Sequence, residues 1–467
     1  MKDLPRGWQE CVLDEIVSDV SYGYTAKANK HGDARMLRIT DIQDYKVDWS
    51  TVPYCTISGA EKKKYALRKM DLVFARTGAT VGKSFLIRDH VQDAVFASYL
   101  IRVRCVADDM AEYLKYFFDS PAYWNQITEL SAGVAQPNVN GSKLRALKVP
   151  LPPHAEQQRI VDKLDAVLAR VDACRERLDR VPIIIKSFKQ SVLAAATSGR
   201  LTAQWRQEHN ITADSWTSAT IEGVCVTVFD GPFGSNLKSD DYTSHGVRVV
   251  RLENIGHLEF IGSKETYISE EKYSGLTKHT ITPGDILFSS FVDEEVRVCQ
   301  LPGNLPTTAI NKADCFCLRT NADLCDPRFL TIRLACRSTF VELKEQVHGA
   351  TRPRINLKQL RQFAVRMPSL GEQREIVRRV DALFAYCDEL YARLSAAQEI
   401  AKNLTPALLA KAFRGELVPQ DPNDEPAAEL LQRLAKERSG EGKATKARRA
   451  KRAASVTLSE EEPTPVE

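Results

Sequence analysis

Apolar residues recur every three or four positions along two long stretches, a spacing that predicts two long amphipathic helices. In the first stretch they are Val161, Leu164, Leu168, Val171, Cys174, Leu178, Val181, Ile185, Phe188 and Val192. Nine steps cover 31 residues, or 3.44 per step, close to the spacing of a heptad seam. The same steps in the second stretch fall on Val377, Val380, Phe384, Cys387, Leu390, Leu394, Ala397, Ala401, Leu404 and Leu408. Pro152, Pro153 and Pro368 precede the two runs, and Gly199 and Gly415 stand where helix C-caps belong. A stripe of this kind buries nothing alone, so the matched registers predict that the helices pack together, antiparallel. About 45 residues at the helical rise make a rod on the order of 65 Å long. Pro182 predicts a kink or a split in the first helix. The second has Gln398 at that place and its own Pro406 eight residues later, so any break would sit differently in the two.

Shorter apolar or alternating runs predict strands at Met36–Asp41, Asp71–Ala75, Ser84–Ile87 and Tyr99–Cys105. A second set lies at Val247–Leu252, Asp285–Phe288, Val296–Leu301 and Asp314–Arg319. Each set is followed by one helical pattern, Ala111–Glu129 and Pro327–Val347, which makes the fold class α+β.

The two sets belong to an internal repeat. At a constant offset of 216, Pro152, Glu156, Gln157, Ile160, Val161, Asp165, Ala166 and Asp172 recur as Pro368, Glu372, Gln373, Ile376, Val377, Asp381, Ala382 and Asp388. Upstream the echo is fainter: Trp8 answers Trp216, Leu37–Ile42 answers Val250–Ile255, and Asp71–Phe74 answers Asp285–Phe288. The expected organisation is a globule at 1–150, a helical spacer at 151–201, a polar linker at 202–215, a second globule at 216–366, a second spacer at 367–417 and a flexible charged tail at 418–467. Within that tail a short helical pattern near Ala427–Lys436 precedes a basic run and an acidic end.

Composition narrows the class. With 467 residues, 43% hydrophobic and 27% charged, the chain suits a soluble globular protein of two or more domains. It has no apolar run of membrane-spanning length and no secretory signal at its start. Eleven scattered cysteines point to reduced thiols in a cytoplasmic setting. A net charge of +4 is only weakly basic, so any surface for nucleic acid must be local or completed by partners.

Motifs that suggest catalysis fail on inspection. Thr77–Ser84 nearly spells a phosphate-binding loop, but Thr77 replaces its first glycine and an apparent strand follows where a helix should. Cys299, Cys315, Cys317, Cys325 and Cys336 contain no Cys-x-x-Cys pair; Cys315 and Cys317 suit one buried face of a strand better than zinc. No catalytic or metal site is expected. Polar loops recur instead at matched places in the two globules, and their residue types suit base edges and phosphates. The DNA-binding candidates are Tyr22, Tyr24, Arg76, Thr77, Lys83, Gln136, Asn138 and Asn140 in the first globule. In the second they are Ser235, Asn236, Lys238, Ser289, Ser290, Arg352, Arg354 and Asn356.

Leu151-Pro152-Pro153-His154-Ala155-Glu156-Gln157 and Met367-Pro368-Ser369-Leu370-Gly371-Glu372-Gln373 each put a proline before Glu-Gln at the entry to a long helix. With Gly231-Pro232-Phe233-Gly234-Ser235 and Arg76–Gly82, they make the chain resemble the specificity subunits of type I restriction–modification systems, as far as Leu417. The resemblance implies two target-recognition domains, each reading one half of an asymmetric, bipartite target in double-stranded DNA. It implies helices that set the spacing and dock two modification subunits, with Glu156, Gln157, Arg159, Glu372, Gln373 and Arg374 as docking candidates. The chain itself would carry no cofactor. S-adenosylmethionine would sit on the modification subunits, and ATP with magnesium on restriction subunits. Two other classes compete with this expectation: a coiled-coil adaptor that never touches DNA, and a nucleotide hydrolase using Lys83.

Overall fold

The computed structural model describes residues 4–43, 46–78, 80–131, 138–212, 215–305, 308–347 and 353–438. The chain divides into two compact units, Met1–Glu176 with Gln398–Glu467, and Arg177–Ala397. Among the described residues no helix is long and apolar enough to cross a membrane.

In the first unit, Gln9–Val12 pairs antiparallel with Lys148–Leu151, so the two ends of the globule meet in one ribbon. Between them lies a four-stranded antiparallel sheet in the order Val17–Tyr22, Leu100–Cys105, Leu72–Ala75, Ser84–Leu86. A smaller sheet places Ala34–Leu37 parallel to Ala94–Phe96 and antiparallel to Tyr54–Cys55. The second unit repeats this plan. Thr217–Thr220 pairs with Ala364–Met367, and the main sheet runs Cys225–Phe229, Cys315–Thr320, Ile286–Val292, Val296–Gln300. Its second sheet has five short strands and again one parallel pair, Val247–Val250 with Ala309–Asn311. The two main sheets also share an internal ion pair, Arg104 to Asp71 at 2.6 Å and Arg319 to Asp285 at 2.6 Å.

The single helical patterns after the strands are each two helices. Met110–Asp119 gives way to Pro121–Ser131 at Ser120, whose hydroxyl accepts from the Tyr123 amide, with Pro121 opening the next helix. Pro327–Ala335 and Arg337–Lys344 are separated by the extended residue Cys336.

The two spacer helices run His154–Thr197 and Leu370–Ala412. Both are unbroken: Pro182 lies inside the first and splits nothing, and Pro406 lies inside the second. They pack antiparallel within each unit. In the first unit, Ile160 and Leu164 share a core with Leu409 and Ala412, and Arg175 donates to the Ala401 carbonyl at 2.8 Å. In the second, Val192 and Ala196 share a core with Ile376 and Val380, and Lys189 meets Asp388 at 2.7 Å. The seam follows the expected stripe at Val161, Leu164, Val171, Ile185, Val192, Val380, Cys387, Leu394 and Ala401, all buried. Cys174, Phe188 and Leu404 depart from it and are exposed.

Each helix start is locked to its own globule by a buried carboxylate. Trp8 Nε1 donates to Glu156 at 3.1 Å, and Trp216 Nε1 donates to Glu372 at the same distance. The neighbouring glutamines close the joint, Gln157 donating to the Pro152 carbonyl at 3.0 Å and Gln373 to that of Pro368 at 3.0 Å. All four side chains are buried. Glu156, Gln157, Glu372 and Gln373 are therefore corrected from docking residues to internal ones: their polar atoms are turned into the fold. Arg159 is also occupied, in an ion pair with Asp424 at 2.5 Å. Arg374 alone of the six is exposed.

The segments after the two helices bind these same joints. Residues 202–215 were expected as a polar linker, but Ala203–Glu208 is helical, and buried Thr202 and Arg206 both bond to Glu372. Residues 418–438 were expected in the flexible tail, yet Gln420 reaches Glu156 at 3.4 Å. A helix over 427–438 then buries Ala427, Leu430 and Leu434 in the first core. The basic run from Lys443 lies outside the described residues.

The two joints differ in charge, and stability should show it. Glu372 faces a buried guanidinium, whereas among the described residues the hydrogen bonds to Glu156 come from the neutral Trp8 and Gln420, and burial raises its carboxyl above the ordinary range. Glu372→Gln leaves Arg206 without its partner and is expected to cost ~3–5 kcal/mol. Glu156→Gln exchanges one neutral-partner set for another and should stay within ~1 kcal/mol of the parent. Urea unfolding of both variants at pH 7.5 checks this; equal losses would contradict it.

Candidate nucleic-acid interface

At one end of each main sheet the ladder between the two central strands ends, at Ala75 with Leu100 and at Ser289 with Cys315, and a loop from later in the chain closes over it. In the first globule the Arg76 amide donates to the Tyr99 carbonyl at 3.0 Å, and the Val139 amide donates to the Arg76 carbonyl at 3.1 Å. Thr77 and Asn138 form a bridge beside them. In the second, the Ser290 amide donates to Asp314 at 2.9 Å and the Ile355 amide to Ser290 at 3.0 Å. Phe291 and Arg354 form the corresponding bridge. The main chain is therefore the same corner twice, with Arg76 matching Ser290, Thr77 matching Phe291, Tyr99 matching Asp314 and Asn138 matching Arg354.

A glycine lets the first strand of each sheet reach this corner. A Cβ on Gly23 would lie 2.2 Å from the Ala97 carbonyl oxygen, and one on Gly231 would lie 2.1 Å from the Lys312 carbonyl carbon. Only a residue without a side chain permits that approach. The residue just before the glycine is Tyr22 in one globule and Asp230 in the other.

The side chains on this shared frame are unlike. In the first globule the Arg76 guanidinium lies over the Tyr22 ring, 5.1 Å from its centre. The Tyr22 hydroxyl accepts from the Gly141 amide at 2.9 Å, and Tyr22 and Tyr99 are 43% and 65% exposed. In the second, the stacked cation comes from the closing loop instead, with Arg354 5.0 Å from the centre of the Phe291 ring and 3.6 Å from Asp314. The Ser290 hydroxyl donates to Asp314 at 2.9 Å. Burial, with Asp314 nearby, pushes the Asp230 carboxyl up to about 6.

The corner thus gathers Tyr22, Arg76, Thr77, Asn138 and Asn140 in one globule, and Ser289, Ser290, Arg354 and Asn356 in the other. Several of these are committed to structure. Asn140 caps the helix Gly141–Arg145 by accepting from the Lys143 amide, and Asn356 caps Leu357–Gln362 through the Gln359 amide. Ser289 and Ser290 are buried and bonded to Arg297 and Asp314, so they are corrected from contact candidates to supports of the corner. Tyr24 leaves the sheet end and packs on Tyr65, ring centres 5.3 Å apart. Lys83 is exposed at the far end of the hairpin turn, where its carbonyl accepts from the Ala75 amide. That turn runs from strand to strand, Leu72–Ala75 into Ser84–Leu86, so Lys83 has no helix N-terminus with which to hold a phosphate. Ser235, Asn236 and Lys238 are exposed, and the first two line an open groove with Lys272, Lys278 and His279. Gln136 and Arg352 lie outside the described residues.

Tyr99, Asp230 and Asp314 were missed. A register alignment of the two strand sets would have found them, because all three occupy matched places at the sheet end. Cys315 and Cys317 are buried as expected of inward strand residues, and burial likewise pushes the neighbouring Cys299 thiol up to about 12.

Two copies of one frame with different side chains invite comparison with known recognition proteins. The sequence profile of the family described as Type I restriction modification DNA specificity domain matches residues 5–182 and again residues 216–397. The chain belongs to this family. It is similar to the EcoKI specificity subunit of Escherichia coli strain K12, with 28% identity covering 94% of this chain and 97% of that protein. The StySPI specificity subunit of Salmonella potsdam is similar at 28% identity, covering 94% and 97% of the two chains. Against the EcoDI specificity subunit of Escherichia coli the identity is 30%, over 68% of this chain and 77% of that one. Among solved structures, the HsdS subunit from Thermoanaerobacter tengcongensis covers 89% of this chain and 99% of its own with a TM-score of 0.59. A chain from a structural study of type I restriction–modification assembly gives a TM-score of 0.63, covering 89% and 100%. Both share 21% identity with this chain and establish the fold.

The raised Asp230 value fixes the sign of a pH effect. At pH 7.5 the carboxyl is ionised in both folded and unfolded chains, and the folded state carries the penalty. Below about 6 the folded carboxyl takes up a proton and the penalty falls away. Asp230→Asn should therefore stabilise the protein at pH 7.5, by on the order of 1 kcal/mol after screening by solvent. The gain should shrink at pH 5. Thermal unfolding at the two pH values checks it, and a gain that grows on acidification would contradict it.

Proposed function

We propose that this chain is the DNA-reading subunit of a type I restriction–modification complex, with residues 1–150 and 216–366 each recognising one half of a bipartite, asymmetric duplex target. The observation that carries the reading is the corner at the end of each main sheet. An identical main-chain frame presents Arg76, Tyr22 and Tyr99 in one globule, and Arg354, Phe291 and Asp314 in the other. Identical frames give two readers of one kind; unlike side chains give them different targets. Membership of a specificity family, rather than of a methyltransferase or nuclease family, agrees with a chain that supplies recognition and leaves chemistry to its partners. An adaptor that ignored nucleic acid would have no use for the repeated corner.

The partners we propose are two modification subunits carrying S-adenosylmethionine, and restriction subunits supplying ATP-driven cleavage with magnesium, all in the cytoplasm. With the Glu-Gln pairs buried, the docking surface passes to the outer faces of the spacer helices. There Ile183 and Ile184 are 69% and 63% exposed and Tyr386 is 56% exposed. Apolar side chains of that size on solvent-facing helix positions favour a protein partner. The spacer helices would fix the number of base pairs between the two halves.

Exchange of residues 1–150 for those of another family member should change one half of the methylated target and leave the other half intact. Mapping methylated sites in genomic DNA from cells carrying the complex reads this directly; both halves changing, or neither, would count against it. Specific binding of the assembled complex should also weaken steeply with salt, as phosphate contacts release counterions. A gel shift whose midpoint does not move between 50 and 200 mM salt, the range over which such contacts lose ~10³-fold or more in affinity, would leave the adaptor reading in its place.

A further inference from the structure

The two corners share one chemical device beneath their differences. In each, one arginine is stacked on an aromatic ring, Arg76 on Tyr22 and Arg354 on Phe291, with separations of 5.1 and 5.0 Å. The arginines do not occupy the same matched position. Arg76 belongs to the strand end, while Arg354 belongs to the loop that closes over it and bridges to Phe291. The same kind of stacked cation is therefore built twice at the corner, by different residues at different matched positions.

A lysine would serve if only phosphate neutralisation were needed, since it is a flexible point charge. Stacking does something else. It orders the plane of the guanidinium before any contact, and beside Arg354, among the described residues, only a long 3.6 Å pairing to Asp314 competes for its donors. That geometry suits two parallel hydrogen bonds to acceptors in one plane, which on duplex DNA are the O6 and N7 atoms of guanine in the major groove. The surroundings agree. The Arg354 side chain is 48% exposed, and Tyr22 and Tyr99 stand open beside Arg76. Among the described residues Arg76 has no ion pair, and its buried Nε has no hydrogen-bond partner.

We infer that Arg76 and Arg354 are specificity-determining residues, each presenting a ring-stacked guanidinium to a guanine in its own half of the target. The inference rests on the proposed function and adds the base class to it. Each half of the methylated target must then contain a G·C pair. Arg76→Lys keeps the charge and can keep a stacked contact, but loses the planar fork. It should relax discrimination at one G·C position of the half governed by residues 1–150, by about ten- to a hundred-fold, and leave the other half unchanged. Arg354→Lys should do the same in the opposite half. Arg76→Ala and Arg354→Ala should relax the same positions more strongly.

The experiment is methylation-site mapping of the complete complex with each variant, beside the chimera in which residues 1–150 are exchanged. A native half-target without a G·C pair overturns the inference. So does an Arg76→Lys complex that keeps full discrimination while Arg76→Ala loses affinity evenly across all sites, the behaviour of a phosphate contact. If the chimera changes one half but no arginine variant relaxes any position, the inference fails and the proposed function stands. If the chimera itself changes neither half, the proposed function has failed first. Circular dichroism of each variant, together with its unrelaxed half-target, excludes misfolding as the cause.

Discussion

A buried glutamate at the first turn of each spacer helix holds the architecture together. Glu156 accepts from Trp8, near the start of the first globule's chain, and Glu372 accepts from Trp216 at the start of the second's. Each bond spans about a whole globule in sequence and ties its beginning to the helix that leaves its end. Around it the ends of the globule close as a two-stranded ribbon, so the helix leaves from a fixed seat. The segments following the opposite helices then seal these seats, Arg206 against Glu372 and Gln420 against Glu156. A carboxylate withdrawn from water is stable only when its partners stay in place. Burial of these groups therefore resists independent swivelling of helix and globule. A reader that swivelled on its strut could not keep its register on DNA.

The second lesson is how a repeat yields two unlike functions. The corner is fixed by groups that do not depend on side-chain identity: amide-to-carbonyl bonds, a bridge between loop and strand, and a glycine that admits close approach. Everything that could read a sequence hangs outside that frame. Tyr22 can then match Asp230, and Tyr99 can match Asp314, without moving the main chain. Such a design tolerates divergence where specificity lies and resists it where assembly lies. That accords with clearer repetition around Glu156 and Glu372 than in the strands.

Much of this was legible in the sequence for physical reasons. Helical periodicity sustained over 31 residues is a strong signal, and Val161, Leu164, Val380 and Leu394 are buried where it placed them. The apolar strand runs were legible because the strands they mark are mostly buried, as in Leu72–Ala75, Leu100–Cys105 and Ile286–Val292. The edge strands Val17–Tyr22 and Cys225–Phe229 were not, because a half-exposed edge carries polar residues such as Asp19 and Thr227 that blur the pattern. The Glu-Gln pairs were recognised as important but given the wrong task. Charged residues at a helix start read as surface groups until the distant tryptophan that covers them is known. The tail misled in the same way: Ala427, Leu430 and Leu434 form too short a stripe to announce a core contact. At the candidate interface, Arg76 and Arg354 stood out by type, whereas Asp314 shows its place only once the strand registers are aligned, opposite Ser290.

On the proposed function, two unlike readers are each fixed to a helix start, and the length of the spacer helices sets the separation of their targets. The most direct measurement is the methylated site of a complex in which matched helical residues are added to both spacer helices, near Glu176 and near Gln398, with the globules untouched. The account predicts the same two half-sequences with more base pairs between them. Unchanged spacing, or altered half-sequences at a changed spacing, would contradict it.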